Sequence, residues 1–163
     1  MGRFVKPGNN VTNMRKFFLI LLTIICAGCV SVSIPRYLND KHPYQKKFYL
    51  GFKETVAATE KVLRDSGWII SGSSDPTVYE QNPTYDPSLG EQTLLFTDTR
   101  QTSMLLFSRY TQLNVYLRSF SDGTEVEIRY IAVTPIPFKN FTSYRNDRLV
   151  RNLFNRIDKE LQK

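Results

Sequence analysis

An alternation of apolar and polar residues runs through residues 112–133. Every second side chain is apolar on either side of Ser121-Asp122-Gly123, namely Leu113, Val115, Leu117, Val126, Ile128 and Tyr130. A period of two is that of a β-strand with one buried face, and Asp-Gly is a common hairpin turn. The pattern predicts an antiparallel hairpin with one face covered and the other in water. Arg118 and Glu125 are placed to form an ion pair across it.

Two other segments repeat apolar residues at the spacing of a helix. The first predicts a helix from about Lys46 to Ser66, which ends at Gly67 and leads into a short strand at residues 68–70. Trp68 is then expected at the base of that helix. The second segment predicts a closing amphipathic helix from about Ser143 to Leu161.

Shorter apolar runs at Thr93–Thr97 and Met104–Phe107 predict further strands, and residues 72–92 predict a long polar loop. The prolines at 135 and 137 are expected to end the sheet. The fold class that follows is α+β, in the order α-β-β-β-β-α. We predict an antiparallel sheet of about four strands with two helices packed on one face, in a single globular domain over residues 46–163.

The N-terminal 28 residues have the plan of a secretory signal peptide. Arg15 and Lys16 precede a predominantly apolar run at residues 17–28, which ends in small residues. This run is shorter than the about 20 residues that span a bilayer. Extended through Val32 it approaches that length, so a transmembrane anchor remains an alternative. Met14 begins a leader of typical length and is a second candidate for the true start.

The end of the apolar run, Ala27-Gly28-Cys29, resembles the lipobox of bacterial lipoprotein precursors, although Cys26 stands where leucine is usual. The resemblance implies cleavage between Gly28 and Cys29 and lipid modification of Cys29. Several acyl chains then hold the protein on a membrane. Residues 29–45 become the lipidated cysteine and a short tether. In enteric bacteria, Asp directly after the lipidated cysteine retains a lipoprotein in the inner membrane. This chain has Val30 at that position, which favours the outer membrane, with the protein facing the periplasm.

The charge of the chain is concentrated in the leader. The full chain carries 22 Lys+Arg and 15 Asp+Glu, for a net charge of +7. Residues 1–28 hold four basic and no acidic residues, so the remainder is only mildly basic. This balance does not favour a nucleic acid as partner. Cys26 and Cys29 are the only cysteines, so residues 30–163 contain neither a disulfide nor a cysteine metal site.

No residue pattern indicates catalysis or a cofactor. The only histidine, His42, lies in the tether beside Pro43, and the sequence places no nucleophile near it. Glu125 and Glu127 share a strand face, which raises the hypothesis of an acid/base pair. A solvated strand face opposite Arg118 is the preferred interpretation. The expectation is a protein that is not an enzyme.

Two groups of residues are candidates for a partner surface. Tyr79 and Tyr85 lie in the long loop, where aromatic side chains either form an interface or fold back on the sheet. The polar face of the last helix carries Arg145, Arg148, Arg151, Arg156 and Lys159. It is either a contact for anionic head groups or an acidic partner, or a solvated helix face.

The mature domain resembles the C subunit lipoprotein of the β-barrel assembly machinery, a helix-grip-type module. The resemblance is carried by Ser66-Gly67-Trp68-Ile69, by Asp122-Gly123-Thr124-Glu125-Val126 and by the helix after Ser143. It implies a non-enzymatic accessory or assembly subunit of the envelope that acts on a protein partner. The alternative is a module that binds a lipid or another hydrophobic ligand between sheet and helix, lined by Phe96, Leu106 or Tyr130.

Overall fold

The hairpin predicted from the alternation lies at the centre of the structure. The computed structural model describes residues 31–79, 90–103, 107–136 and 138–163. The strands are β1 (Tyr44–Phe48), β2 (Ile70–Ser74), β3 (Gln92–Thr97), β4 (Arg100–Ser103), β5 (Ser108–Phe120), β6 (Gly123–Ile136) and β7 (Lys139–Ser143). The helices are α1 (Phe52–Asp65) and α2 (Asp147–Leu161), with a short 3₁₀ turn at Pro76–Val78.

The α+β class and the antiparallel sheet are confirmed, but the sheet has seven strands and not about four. Its order is β1-β6-β5-β3-β2, and in addition β4 pairs with β5 and β7 pairs with β6. The two central strands are 13 and 14 residues long, so the outer edge of each has room for two short partners. Three of those four partners, β1, β4 and β7, are too short and too polar to show an alternation of their own.

The predicted start of the first helix at Lys46 is wrong. Residues 44–48 form the edge strand β1, and Phe48 pairs with Thr124 of β6. Helix α1 begins only at Phe52, after Gly51. Its end is as predicted: Gly67 has a φ of +78°, and the Trp68 amide returns to the Leu63 carbonyl. Trp68 is buried at the base of the helix, while strand β2 starts two residues later.

The prolines at 135 and 137 do not end the sheet. Strand β6 continues to Ile136 and turns back as β7, through Phe138 with a φ of +69°. Pro135 is tolerated because the ladder with β5 ends at Val133, so its missing N–H breaks no bond on that side. The last helix consequently begins at Asp147 and not at Ser143. The Asn146 side chain caps it by accepting a hydrogen bond from the Leu149 amide at 3.1 Å.

One face of the sheet and the two helices enclose the main core, as predicted. The six apolar side chains that alternate along the hairpin are all buried there. They pack against side chains from both helices, chiefly Val62 and Leu63 of α1 and Val150, Leu153, Phe154 and Ile157 of α2. The ion pair predicted between Arg118 and Glu125 is present.

The expectation that the second face of the sheet is wet is wrong. Asn114, Glu127 and Arg129 point to this face and are buried. Residues 31–43, assigned to a tether, lie across it, and Leu38 packs on Ile131 and Val133 with Val32 and Ile34 beside them. The packed part of the chain therefore starts well before residue 46.

Candidate interaction surfaces

The irregular segment at residues 35–38, which bends at residues 36 and 37, is held by polar side chains of the sheet. The Leu38 amide donates to Asn114 Oδ1 at 2.6 Å, and Asn114 Nδ2 donates to the Arg36 carbonyl at 3.0 Å. Gln112 Nε2 donates to the Arg36 carbonyl as well, at 3.1 Å. An irregular segment lying on a sheet face has no strand ladder for its peptide groups, and a buried peptide group without a partner is costly. The buried side-chain amides of Gln112 and Asn114, both on β5, supply that partner.

A network of charges lies beneath the same segment. Arg129 Nε donates to Glu127 Oε1 at 2.6 Å, and the Arg129 guanidinium also reaches the Leu38 carbonyl at 3.3 Å and the Tyr37 hydroxyl. Gln45 Nε2 donates to the other oxygen of Glu127 at 3.0 Å. The Glu127 side chain is only 4% exposed, so these bonds replace the water that it would otherwise bind.

This network gives a structural role to the two carboxylates considered as an acid/base pair. Glu127 is bound by Arg129 and Gln45, and Glu125 is bound by Arg118, which also lies 3.4 Å from Glu127. Arginine donors on both carboxylates occupy the oxygens that would otherwise exchange a proton. The expected solvated strand face is nevertheless wrong for Glu127. Within the described ranges, no group of three or more His, Cys, Asp or Glu is placed to hold a metal ion.

Tyr79 is folded back on the sheet. Its ring stacks on Tyr37 at 5.4 Å between centroids and meets Phe96 edge-on at 5.2 Å. The guanidinium of Arg36 lies 4.8 Å from the Phe96 ring on the same cluster. Of the two interpretations left open for this loop tyrosine, the structure favours packing. Tyr85 and the rest of residues 80–89 lie outside the described residues.

The carboxylates of α2 point to its flanks, where each meets a partner from a neighbouring element. Asp147 accepts a hydrogen bond from Tyr44, Asp158 pairs with Lys46, and Glu160 pairs with Lys61 and Lys163. Hydrogen bonds from Lys163 and Lys61 lower the pKa of Glu160, and the hydrogen bond to Glu160 raises the pKa of Lys61. Burial and the hydrogen bond to Asp147 raise the pKa of Tyr44.

The outer face of α2 carries exposed cations among the neutral Asn152 and Asn155. Arg148, Arg151 and Lys159 are exposed, and no carboxylate among the described residues forms a salt bridge with them. Exposed Arg156 donates to the Ser66 hydroxyl at the edge of this face. Arg145, also exposed, precedes the helix and lies over the Tyr44 ring at 5.0 Å. We call Arg148, Arg151 and Lys159 the basic face.

The residues expected to line a ligand pocket are packed. Phe96 belongs to the Tyr37–Tyr79 cluster, and Tyr130 lies in the main core on the opposite face, with its hydroxyl bonded to Arg109. Leu106 lies outside the described residues. A groove between α1 and the β2–β3 edge, of about 400 Å³, is open and of mixed polarity. Phe52, Val56 and Leu95 line it together with Lys53 and Glu60.

The residues of the signal and lipidation predictions, including Gly28 and Cys29, lie outside the described residues. No helix in the described ranges is long and apolar enough to cross a membrane. No protein-family model matches the chain. No curated protein matches it either.

We expect Glu127→Ala to lower the free energy of unfolding by about 3–5 kcal/mol, because it leaves buried Arg129 without its carboxylate. Glu125→Ala is the matched control on the same strand face. The Glu125 side chain is 23% exposed, and its loss should cost about 0–1 kcal/mol. Urea denaturation followed by the fluorescence of Trp68, the single tryptophan, measures both. Equal costs for the two variants would contradict a buried network at Glu127.

Proposed function

We propose that this chain is the precursor of a lipid-anchored protein of the bacterial envelope, held by Cys29 in the outer membrane and facing the periplasm. The support is the order of its N-terminal residues: Arg15 and Lys16, then an apolar run, then Ala27-Gly28-Cys29. A short apolar run with a charged start and small residues before the cut is typical of exported precursors.

We propose further that the folded domain works without catalysis, as an accessory or assembly subunit that contacts another envelope protein. The observation that carries this proposal is the basic face. All three carboxylates of α2 are engaged on its flanks, so three exposed cations remain on one side of a rigid helix. Such a face complements an acidic protein surface and favours rapid, oriented association with it. The open, mixed groove beside α1 supports the hydrophobic-ligand alternative less well, because ligand pockets are mostly apolar and enclosing.

Lipidation is tested by the intact mass of the protein extracted from membranes. We expect the mass of residues 29–163 plus acyl chains, because the modification attaches to the Cys29 sulfur. Cys29→Ala should lose both the cleavage and the acyl mass. Cys26→Ala is the matched control and should keep both. An unprocessed, unacylated wild-type mass would refute the anchor and favour an uncleaved apolar helix instead.

Protein contact is tested by reversing charge on the basic face. We expect Arg148→Glu/Arg151→Glu to weaken cross-linking to an envelope protein by at least about tenfold, since like charges placed together at an interface cost several kcal/mol. The measurement is the yield of the cross-linked pair in intact envelopes, with the partner identified by mass spectrometry.

The control for this pair is Lys41→Glu/Lys53→Glu, which changes the net charge equally at exposed positions away from α2. It should leave the yield unchanged. Equal yields from the two double variants would mean that the basic face is merely solvated, and the proposed mode of action would fail.

A further inference from the structure

The end of the sheet where β6 turns into β7 exposes large aromatic side chains. Phe138 in the turn is 83% exposed, Phe141 is 53% exposed, and Phe107 just before β5 is 43% exposed. Lys139 lies 5.3 Å above the Phe141 ring. We call Phe107, Phe138, Lys139 and Phe141 the sheet tip. Exposed apolar groups gathered at one place mark a contact with a partner or a membrane more often than scattered ones do.

The chain that leads to the lipidation position enters the fold beside this sheet tip. Val32 and Ile34 pack in one cluster with Leu38, Ile131 and Val133, and Val133 pairs with Thr142, the neighbour of Phe141 in the sheet tip. Position 29 is three residues before Val32, and an extended chain spans at most about 11 Å over that distance. A lipid on Cys29 would therefore lie within about that distance of Val32, which packs beside Val133 and not at the opposite end of β6.

The charged residues of the central strands are also distributed unevenly between the sheet tip and the opposite end. Residues 99–117 and 128–146 contain no Asp or Glu, and they carry Arg109 and Lys139 towards the tip. The carboxylates of the central hairpin, Asp122, Glu125 and Glu127, all lie in or near its turn, at the other end. An end that is aromatic and basic without acids suits the interface of a bilayer containing anionic phospholipid.

We propose that the sheet tip rests in the headgroup region of an anionic phospholipid bilayer, so that the domain is held in one orientation by its anchor and by Phe138 and Phe141 together. This inference rests on the proposed lipid anchor, which brings the tip to the membrane. It assigns the tip to lipid and leaves the basic face of α2 to the protein partner.

The test places a tryptophan at either end of β6 in the full-length protein, extracted from membranes and reconstituted into vesicles. Phe138→Trp marks the sheet tip. Tyr49→Trp is the matched control, because Tyr49 is 78% exposed and lies at the opposite end, beside the pairing of Phe48 with Thr124. The two positions are about 40 Å apart along the 12 residues of β6 that separate them. The vesicles contain phosphatidylglycerol with brominated acyl chains, which quench tryptophan only on close approach.

We expect brominated lipid to reduce the emission contributed by the tryptophan at position 138, taken as the difference from the wild type, to less than half. The emission contributed by the tryptophan at position 49, and that of the buried Trp68 of the wild type, should stay nearly unchanged. Adding Lys139→Glu to Phe138→Trp should weaken the quenching. Phe138 is exposed, so its substitution is not expected to disturb packing, and the urea midpoint checks this. Equal quenching at positions 138 and 49, or none at position 138, would overturn the proposal.

The intact mass of the same preparation separates this inference from the proposed function. Acylated residues 29–163 without quenching at position 138 would leave the lipoprotein in place and refute the membrane contact. An unacylated chain would refute the lipid anchor, whatever the quenching shows. A protein adduct in intact envelopes from a photoreactive side chain at position 138, without lipid adducts, would also overturn the assignment of the tip to lipid.

Discussion

The ion pair between Glu127 and Arg129 determines how the second face of the sheet is built. Two opposite charges on one strand are costly to bury, and they remain buried only if each hydrogen bond is satisfied. Arg129 reaches Glu127, the Tyr37 hydroxyl and the Leu38 carbonyl, so the pair is complete only with the N-terminal segment in place. The segment depends on the sheet in turn, because its Leu38 amide donates a hydrogen bond to the Asn114 side chain. Each side supplies the partners that the other needs.

This mutual dependence fixes the path of residues 31–43 across the second face of the sheet. A flexible tether would let the domain turn freely above a membrane. A segment bound along β6 instead delivers Val32 to Ile131 and Val133, next to the sheet tip. The proposed orientation, with Phe138 towards lipid and the basic face of α2 open to a protein, follows from that path. One packing arrangement thus relates the proposed anchor to the sheet tip and to the basic face.

Periodic patterns predicted the centre of this fold well and its edges poorly. The alternation from Leu113 to Tyr130 gave the hairpin, its turn and its buried face, and the stripe of α2 gave a closing helix. Strands β1 and β7 were missed because each is an edge strand of only five residues, mostly polar, and shows no alternation of apolar and polar residues. The site was harder to predict. Glu127 and Arg129 are buried because the segment around Leu38, which is distant in sequence, covers them. In the sequence alone, polar residues at every second position of a strand predict a face exposed to water. Two charges flanking Ile128 within a long apolar strand were the only signal.

The most direct test of this account is hydrogen exchange at the Leu38 amide in the full-length, membrane-reconstituted protein. That amide donates to the buried Asn114 side chain, so we predict protection close to that of the Leu113 amide, which donates to Thr97 Oγ1 in the central sheet. Exchange at the rate of an unstructured peptide would contradict the account. Residues 31–43 would then be the free tether that the sequence predicts, and nothing would orient the sheet tip towards the membrane.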